Sequence, residues 1–365
     1  MKFQSPDYVR SMAPYQAGKP ISELAREYGL NEADIVKLAS NENPLGMPES
    51  ARVAMMAAVS ELGRYPDANG FELKAAISSR YSVPADWITL GNGSNDVLEI
   101  AAHAILQPGT SAVYSQFSFA VYALATHAVG ARAIVVPARD YGHDLDAMLA
   151  AIAPDTRMLF IANPNNPTGT FLPYGELKDF IASLPRDVIV VLDEAYNEYL
   201  SPELRVDTTA WLSEFDNLVI TRTFSKIYGM AGLRIGFALC SRAVADLMNR
   251  VRQPFNCNNL ALAGAIAALE DAEFLAQSYE LNATGMQQIV SGLDALGLKH
   301  LPSHANFVTF HVADAAAVNQ RLLKQGVIVR PLAGYAMHDW LRVTIGTQAE
   351  NTRFLDALKL AVQAA

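Results

Sequence analysis

The segment TFSKIYGMAGLRIGF, residues 223–237, sets one lysine among hydroxyls and glycines. Lys226 follows Thr223 and Ser225, precedes Gly229, Gly232 and Gly236, and has Arg234 eight residues after it. Hydroxyl and guanidinium donors in one loop suit a phosphate. A lysine amine, with an ordinary pKa of about 10.4, is a poor nucleophile until its proton is removed. Imine formation with an aldehyde is the reaction this side chain performs best. Three other segments carry residues of comparable interest. GNGSND (91–96) offers Gly93, Ser94 and Asn95 at a strand-to-helix junction, where free N–H groups and the helix dipole favour an anion. An ordinary capped helix would read the same way. NPNNPTG (163–169) has two Asn-Pro steps and a glycine, which force an extended, turning backbone. Asn166 is the member expected to face a site. VVLDEAY (190–196) places Asp193 directly after a buried run, where a carboxylate is costly unless paired. Its partner is either structural, such as a helix N-terminus, or the cationic ring nitrogen of a ligand. Tyr196, three residues on, would reach the same place.

The elements that must position these groups alternate between strand and helix. WITLG (87–91), SAVYS (111–115), ARAIVVP, RMLFIANP, DVIVVLDEAY (187–196) and NLVITRTFSK read as strands. Between them, Val97, Ile100, Ala101, Ala104 and Ile105 recur at helical spacing, and AVYALATH and DLDAMLAAI read as further helices. Val188–Leu192 is an uninterrupted apolar run, as in a parallel strand buried on both faces. The expected fold is therefore α/β, a mostly parallel central sheet flanked by helices. From residue 243 the texture changes to long Ala/Leu-rich helices and then short strands, NFVTFHV, VIVRPL and LRVTIG. That predicts an N-terminal arm over 1–45, a large domain over 46–242 and a smaller α+β domain over 243–365. In open parallel sheets, ligands bind beyond the carboxyl ends of strands, where the four chemical segments fall.

Composition removes several alternatives. The chain has 365 residues, is 51% hydrophobic and 18% charged, and carries a formal net charge of -9, so a nucleic-acid partner is not expected. Cys240 and Cys257 form no CxxC or zinc spacing. His300, His304 and His311 share no helical face because Pro302 intervenes, so no metal is expected. No apolar run reaches membrane-spanning length and the N-terminus lacks a leader-like apolar core, so the expected location is the cytoplasm.

An anion cup, an acid for a ring nitrogen, an Asn/Tyr pair and an amine are the protein groups that pyridoxal phosphate requires. NPNNPTG, LDEAY, TFSKIYGMAGLRIGF and WLRVTIGT resemble the fold-type I aminotransferases. With APYQAGKP, LASNENPLG, RYPDANG and GNGSND, the chain is similar specifically to the histidinol-phosphate aminotransferases, in the family's order and over nearly its whole length. The resemblance implies that Lys226 forms the imine and then shuttles a proton. It implies that Asp193 pairs with the ring nitrogen, that Asn166 and Tyr196 bond the ring's phenolic oxygen, and that Ser94, Asn95, Thr223, Ser225 and Arg234 hold the phosphate. The family often has Asp at the Asn95 position, and tyrosine where Phe117 would cover the ring. Tyr65 resembles the tyrosine that reaches the phosphate of a neighbouring subunit, which implies a homodimer with shared active sites.

For the substrate, Arg342 lies on a strand whose Leu341, Val343 and Ile345 face the other way, so it needs an anionic partner. The resemblance adds Arg330 and Tyr15 for a substrate phosphate. Asn43 is expected either near the substrate or in a structural turn. The implied reaction moves an amino group from L-histidinol phosphate to 2-oxoglutarate, giving imidazole acetol phosphate and glutamate, a step of histidine biosynthesis. The alternatives are an aromatic amino-acid aminotransferase, a phosphothreonine decarboxylase and a non-catalytic protein of the same fold.

Overall fold

The computed structural model describes residues 4–12 and 18–363. After the two-residue strand β1 (Val36–Lys37), seven strands build the large sheet. They are β2 (Ile88–Gly91), β3 (Ser111–Ser115), β4 (Arg132–Val136), β5 (Thr156–Ala162), β6 (Ile189–Asp193), β7 (Leu218–Thr223) and β8 (Gly236–Cys240). Their order across the sheet is β2-β8-β7-β6-β5-β3-β4. Strands β7, β6, β5, β3 and β4 run parallel, while β8 is antiparallel to both β7 and β2. The mostly parallel sheet expected from the alternating pattern is therefore present. Strand β8 was not expected, because GLRIGF reads as loop. Its five residues are all buried. Gly236 lets it pass close to the helix Ser94–Ile105, since a Cβ there would lie 2.5 Å from the Ser94 amide nitrogen.

Alternate residues of each central strand feed two different cores. In β6, Val190 and Leu192 join one hydrophobic cluster and Val191 the other. In β5, Leu159 and Ile161 point one way, Met158 and Phe160 the other. Helices cover both faces, which is why these strands carry apolar residues without alternation.

A second sheet contains β9 (Phe307–His311), β11 (Arg330–Pro331) and β12 (Trp340–Thr344), all antiparallel, in the order β11-β12-β9. The expected strand VIVRPL is split: β10 (Val327–Ile328) pairs instead with β1, in parallel. That pairing fastens the N-terminal segment to the small domain, where Leu24, Ala25, Ile35 and Ala39 pack with Leu323 and Ile328. The textural change at 243 does not coincide with the change of core. Val244, Ala245 and Met248 of the helix Arg242–Val251 lie in one large-sheet cluster. Ala261, Ala265 and Ala268 of the helix Asn259–Glu270 lie in the other. The small-domain core begins with Ile289 and Leu293 of the long helix Ala272–Ala295.

Candidate active site

A cavity of about 190 Å³ opens at the carboxyl ends of β5, β6 and β7, roofed by β11 and β12 of the small sheet. Its lining includes Ser94, Asn95, Asn166, Asp193, Tyr196, Thr223, Ser225, Lys226, Arg234, Arg330 and Arg342. Residues from six sequence segments thus meet in one place.

At one end lies a cup for an anion. Gly93, at φ +88, precedes the helix Ser94–Ile105, and no side chain caps that helix. Its first-turn N–H groups and dipole are directed at the cavity wall formed by Ser94 and Asn95. A Cβ on Gly93 would lie 2.2 Å from the Arg234 guanidinium and push it aside, and the positive φ strains any other residue there. Arg234 itself has a left-handed backbone, φ 56, and donates from Nη1 to Ser225 Oγ at 3.3 Å and to the Ala231 carbonyl at 3.1 Å. The Thr223 hydroxyl accepts from the Ser225 amide at 3.1 Å. Two hydroxyls, a guanidinium and a helix N-terminus fit a phosphate dianion.

Asp193 closes the cavity floor and is only 4% exposed. Its Oδ2 accepts from Tyr122 Oη at 2.8 Å. Its Oδ1 accepts from Thr221 Oγ1 and the Ala195 amide, each at 3.2 Å. Burial raises the carboxyl's pKa, and these donors oppose the shift. Tyr196 accepts from Asn41 Nδ2 at 2.9 Å, and burial pushes its phenol up to about 12, so it stays a donor. The Lys226 amine donates to the Ser40 carbonyl at 3.2 Å and sits 5.7 Å from the Tyr196 ring centre. Burial, then the Arg342 charge, lowers its pKa to about 8. A lysine within reach of neutrality, beside a buried carboxylate and a phosphate cup, fits an aldehyde-bearing, phosphorylated ring cofactor.

The small sheet supplies a second cationic wall. Arg330 and Arg342 are direct cross-strand partners on β11 and β12. Arg342 donates to Asn166 Oδ1 and, at 2.9 Å, to the Ala39 carbonyl, with its guanidinium 5.1 Å from the Phe307 ring centre. Leu341, Val343 and Ile345 face the small-domain core, as the alternation predicted. In NPNNPTG only Asn166 among the three asparagines reaches the cavity. Asn163 holds Leu172, and Asn165 holds Phe117 and Thr168.

The expected place of Phe117 is corrected, and Asn43 takes the structural one of its two expected places. Phe117 does not line the cavity: it stacks on Tyr141 with ring centres 5.6 Å apart, in a cluster with Trp340 and Leu332. Phe119, two residues on, lines the cavity instead. Asn43 does not line it either. Its Nδ2 donates to the Ile227 carbonyl at 2.7 Å and Ser278 Oγ at 2.8 Å, and its Oδ1 accepts from the Leu45 amide. It anchors the residue after Lys226. Tyr65 lies outside the cavity, 82% exposed and stacked on Phe255. Tyr15 lies outside the described residues. Sequence reading missed Ser40, Asn41, Phe119, Tyr122 and Tyr335. Of these Tyr122 had a signal, since a tyrosine on the apolar face of a buried helix requires a partner for its hydroxyl.

The family model for "Aminotransferase class I and II" matches residues 33–358. Histidinol-phosphate aminotransferase 1 of Cupriavidus pinatubonensis is 62% identical over 362 residues, covering 98% of this chain and 96% of that protein. The protein of the same name from Dechloromonas aromatica is 62% identical over 359 residues, covering 98% and 99%. Among solved structures, histidinol-phosphate aminotransferase from Sinorhizobium meliloti, in complex with pyridoxal-5'-phosphate, matches with a TM-score of 0.89 at 27% identity, covering 100% and 98%. This chain, with its mostly parallel sheet and smaller second sheet, therefore belongs to the class I and II aminotransferases and has the fold-type I architecture.

Proposed function

We propose that this enzyme transfers the amino group of L-histidinol phosphate to 2-oxoglutarate, using pyridoxal 5'-phosphate. The observation that carries the reading is a cavity with two cationic ends. The cup of Gly93, Ser94, Asn95, Thr223, Ser225 and Arg234 suits the cofactor phosphate, and the Arg330–Arg342 pair suits the anionic end of a substrate. The relatives named above support the same substrate.

When bound, the cofactor supplies a carbonyl that captures amines and a ring that accepts electrons. Lys226 would hold that carbonyl through its amine, and the same amine, which burial brings to a pKa of about 8, would be the base for the proton on the substrate carbon. Asp193 would hold a proton on the ring nitrogen, and Tyr196 would donate its hydroxyl to the ring oxygen. Asn166 has given its carbonyl oxygen to Arg342, which leaves its amide N–H groups as the second donor. Phe119, on the cavity wall, would cover the ring face. Arg342 and Arg330 bind the phosphate of one substrate and a carboxylate of the other, with Tyr15 added from outside the described residues.

The arrangement also supports a homodimer. Val53, Met56, Leu62, Tyr65, Phe71 and Phe255 are exposed apolar or aromatic side chains around the helix Glu49–Ala58 and the segments that flank it. Such a patch suits a second copy, and Tyr65 is the side chain it would lend to the neighbouring site. The domain division we favour moves the small-domain boundary from 243 to about 271, following the packing of the two intervening helices. The location proposed is the cytoplasm; no helix among the described residues is long and apolar enough to cross a membrane.

The test is a half-reaction. The holoenzyme is mixed with L-histidinol phosphate, phenylalanine, tyrosine or glutamate, and the cofactor absorbance is followed to its amine form. Histidinol phosphate is expected to convert far more efficiently than the aromatic amino acids. The aromatic lining of Phe119 and Tyr335 favours a second reading. If phenylalanine or tyrosine converts best, that reading replaces the first.

A further inference from the structure

We propose that Tyr122 is a positioning residue for Asp193, an inference that rests on the placement of Asp193 against the cofactor's ring nitrogen. Tyr122 lies in the first turn of the helix Ala120–Ala128 and is fully buried. Three rings fix its plane. It stacks on Phe160 of β5 at 4.8 Å and 8°, meets Phe119 edge-on at 5.9 Å, and lies 6.5 Å from Tyr114 of β3. So held, its hydroxyl meets Asp193 Oδ2 at 2.8 Å. The other carboxylate oxygen is taken by Thr221 from β7 and the Ala195 amide. Asp193 is therefore gripped from a helix, a strand and a turn, and the short bond among the three belongs to Tyr122.

Two consequences follow from the chemistry. A carboxylate bonded at both oxygens cannot rotate, so one orientation faces the cavity. Hydrogen bonds to the ionised form also keep it ionised against its burial. The ionisable groups whose charge bears on Asp193 are Tyr122, Tyr196 and Lys226 on the cavity side and Glu194 on the opposite face of the strand. Burial, with Asp193 adding to it, holds the Tyr122 phenol well above its ordinary range, so it donates at every working pH. The Tyr122 amide also bonds the Phe119 carbonyl at 3.0 Å. One helical turn thus sets both the aromatic wall of the cavity and the acid beneath it.

Tyr122→Phe removes one oxygen and leaves the ring stack. We expect kcat to fall by about ten-fold or more with a smaller change in KM, because a bond to a charged group is lost. The cofactor-free protein is expected to bind pyridoxal 5'-phosphate about ten-fold more weakly, measured by fluorescence titration. Wild-type values for either quantity would overturn the proposal. Should Tyr122→Phe fail to fold, Thr221→Val removes the weaker donor, and the same two quantities must move in the same direction by a smaller factor; wild-type values there also overturn it. Asp193→Asn is measured in parallel. A large loss there with a silent Tyr122→Phe removes only the role of Tyr122. A silent Asp193→Asn removes the Asp193 assignment itself, and this proposal with it.

Discussion

Lys226 is surrounded by groups that disfavour an ammonium. It is buried, and Arg342 and Arg234 add like charge, while Glu42 and Asp193 oppose them. With a folded pKa of about 8 against an ordinary 10.5, the amine is mostly protonated at pH 7 and mostly neutral at pH 9. In the cofactor-free protein its reactivity is therefore expected to rise with pH and reach its midpoint near 8, about two units before exposed lysines. Competitive labelling with an amine-specific reagent, read peptide by peptide in a mass spectrometer, measures this directly. A midpoint near 10 would show that burial does not activate the lysine. Lys226→Ala is expected to abolish turnover, and wild-type turnover would remove Lys226 from the mechanism. At this scale the sequence was most informative where chemistry demands a residue type: Lys226, Asp193, Arg234 and Arg342 all reach the cavity. It was least informative where two like residues compete. In QFSF, Phe117 and Phe119 differ only in how the chain enters the helix at Ala120, and the second takes the cavity position.

Neighbouring residues on a strand point to opposite faces, and the site depends on it. Asp193, Thr221 and Thr223 stand on the cavity side of β6 and β7. Their neighbours Glu194 and Arg222 stand on the other, and there they form a buried ion pair with N···O 2.5 Å, at 0% and 7% side-chain exposure. Thr208 donates to Glu194 at 2.8 Å, Glu198 lies 3.3 Å from the same arginine, and the Tyr81 ring lies under the guanidinium at 5.0 Å. The pair ties the ends of the two strands that carry Asp193 and Thr221. Arg222→Met would strand the buried Glu194 carboxylate and the partly buried one of Glu198, and a loss of about 3–5 kcal/mol is expected in denaturant unfolding. Adding Glu194→Gln should recover part of that loss, because the charge left behind is reduced. A single variant as stable as wild type would show that the carboxylates find water or protons instead. Sequence reading passed over this network. Glu194 and Arg222 lie 28 residues apart and become neighbours only through the β6–β7 register. The apolar runs around them marked the strands, but not which strands adjoin.

At the scale of the whole molecule, the cavity lies between a large sheet and a small one, and its residues come from both. The N-terminal segment reinforces that junction. Strand β1 pairs with β10, Asn41 bonds Tyr196 of the large domain, and the Asn41 amide donates to Thr344 Oγ1 of β12 at 2.9 Å. Two helices that resemble small-domain helices in composition pack on the large sheet instead, because alanine-rich faces fit either partner and only contact decides between them. The remaining surface is where Tyr65 stands, 82% exposed and stacked on Phe255. A large aromatic left in water is explained if a second copy covers it and receives it. The consequence can be tested without a structure of the dimer. Tyr65→Ala and Lys226→Ala are each expected to be severely impaired as pure proteins. Co-expressed with different tags and purified as the mixed dimer, they place both lesions in one site and leave the other whole. About half of wild-type activity per mixed dimer is then expected, one intact site of two. If Tyr65 acted within its own chain, each site of the mixed dimer would carry one lesion and no activity would return. Full activity of Tyr65→Ala alone would mean that the exposed ring serves the contact between copies and not the chemistry.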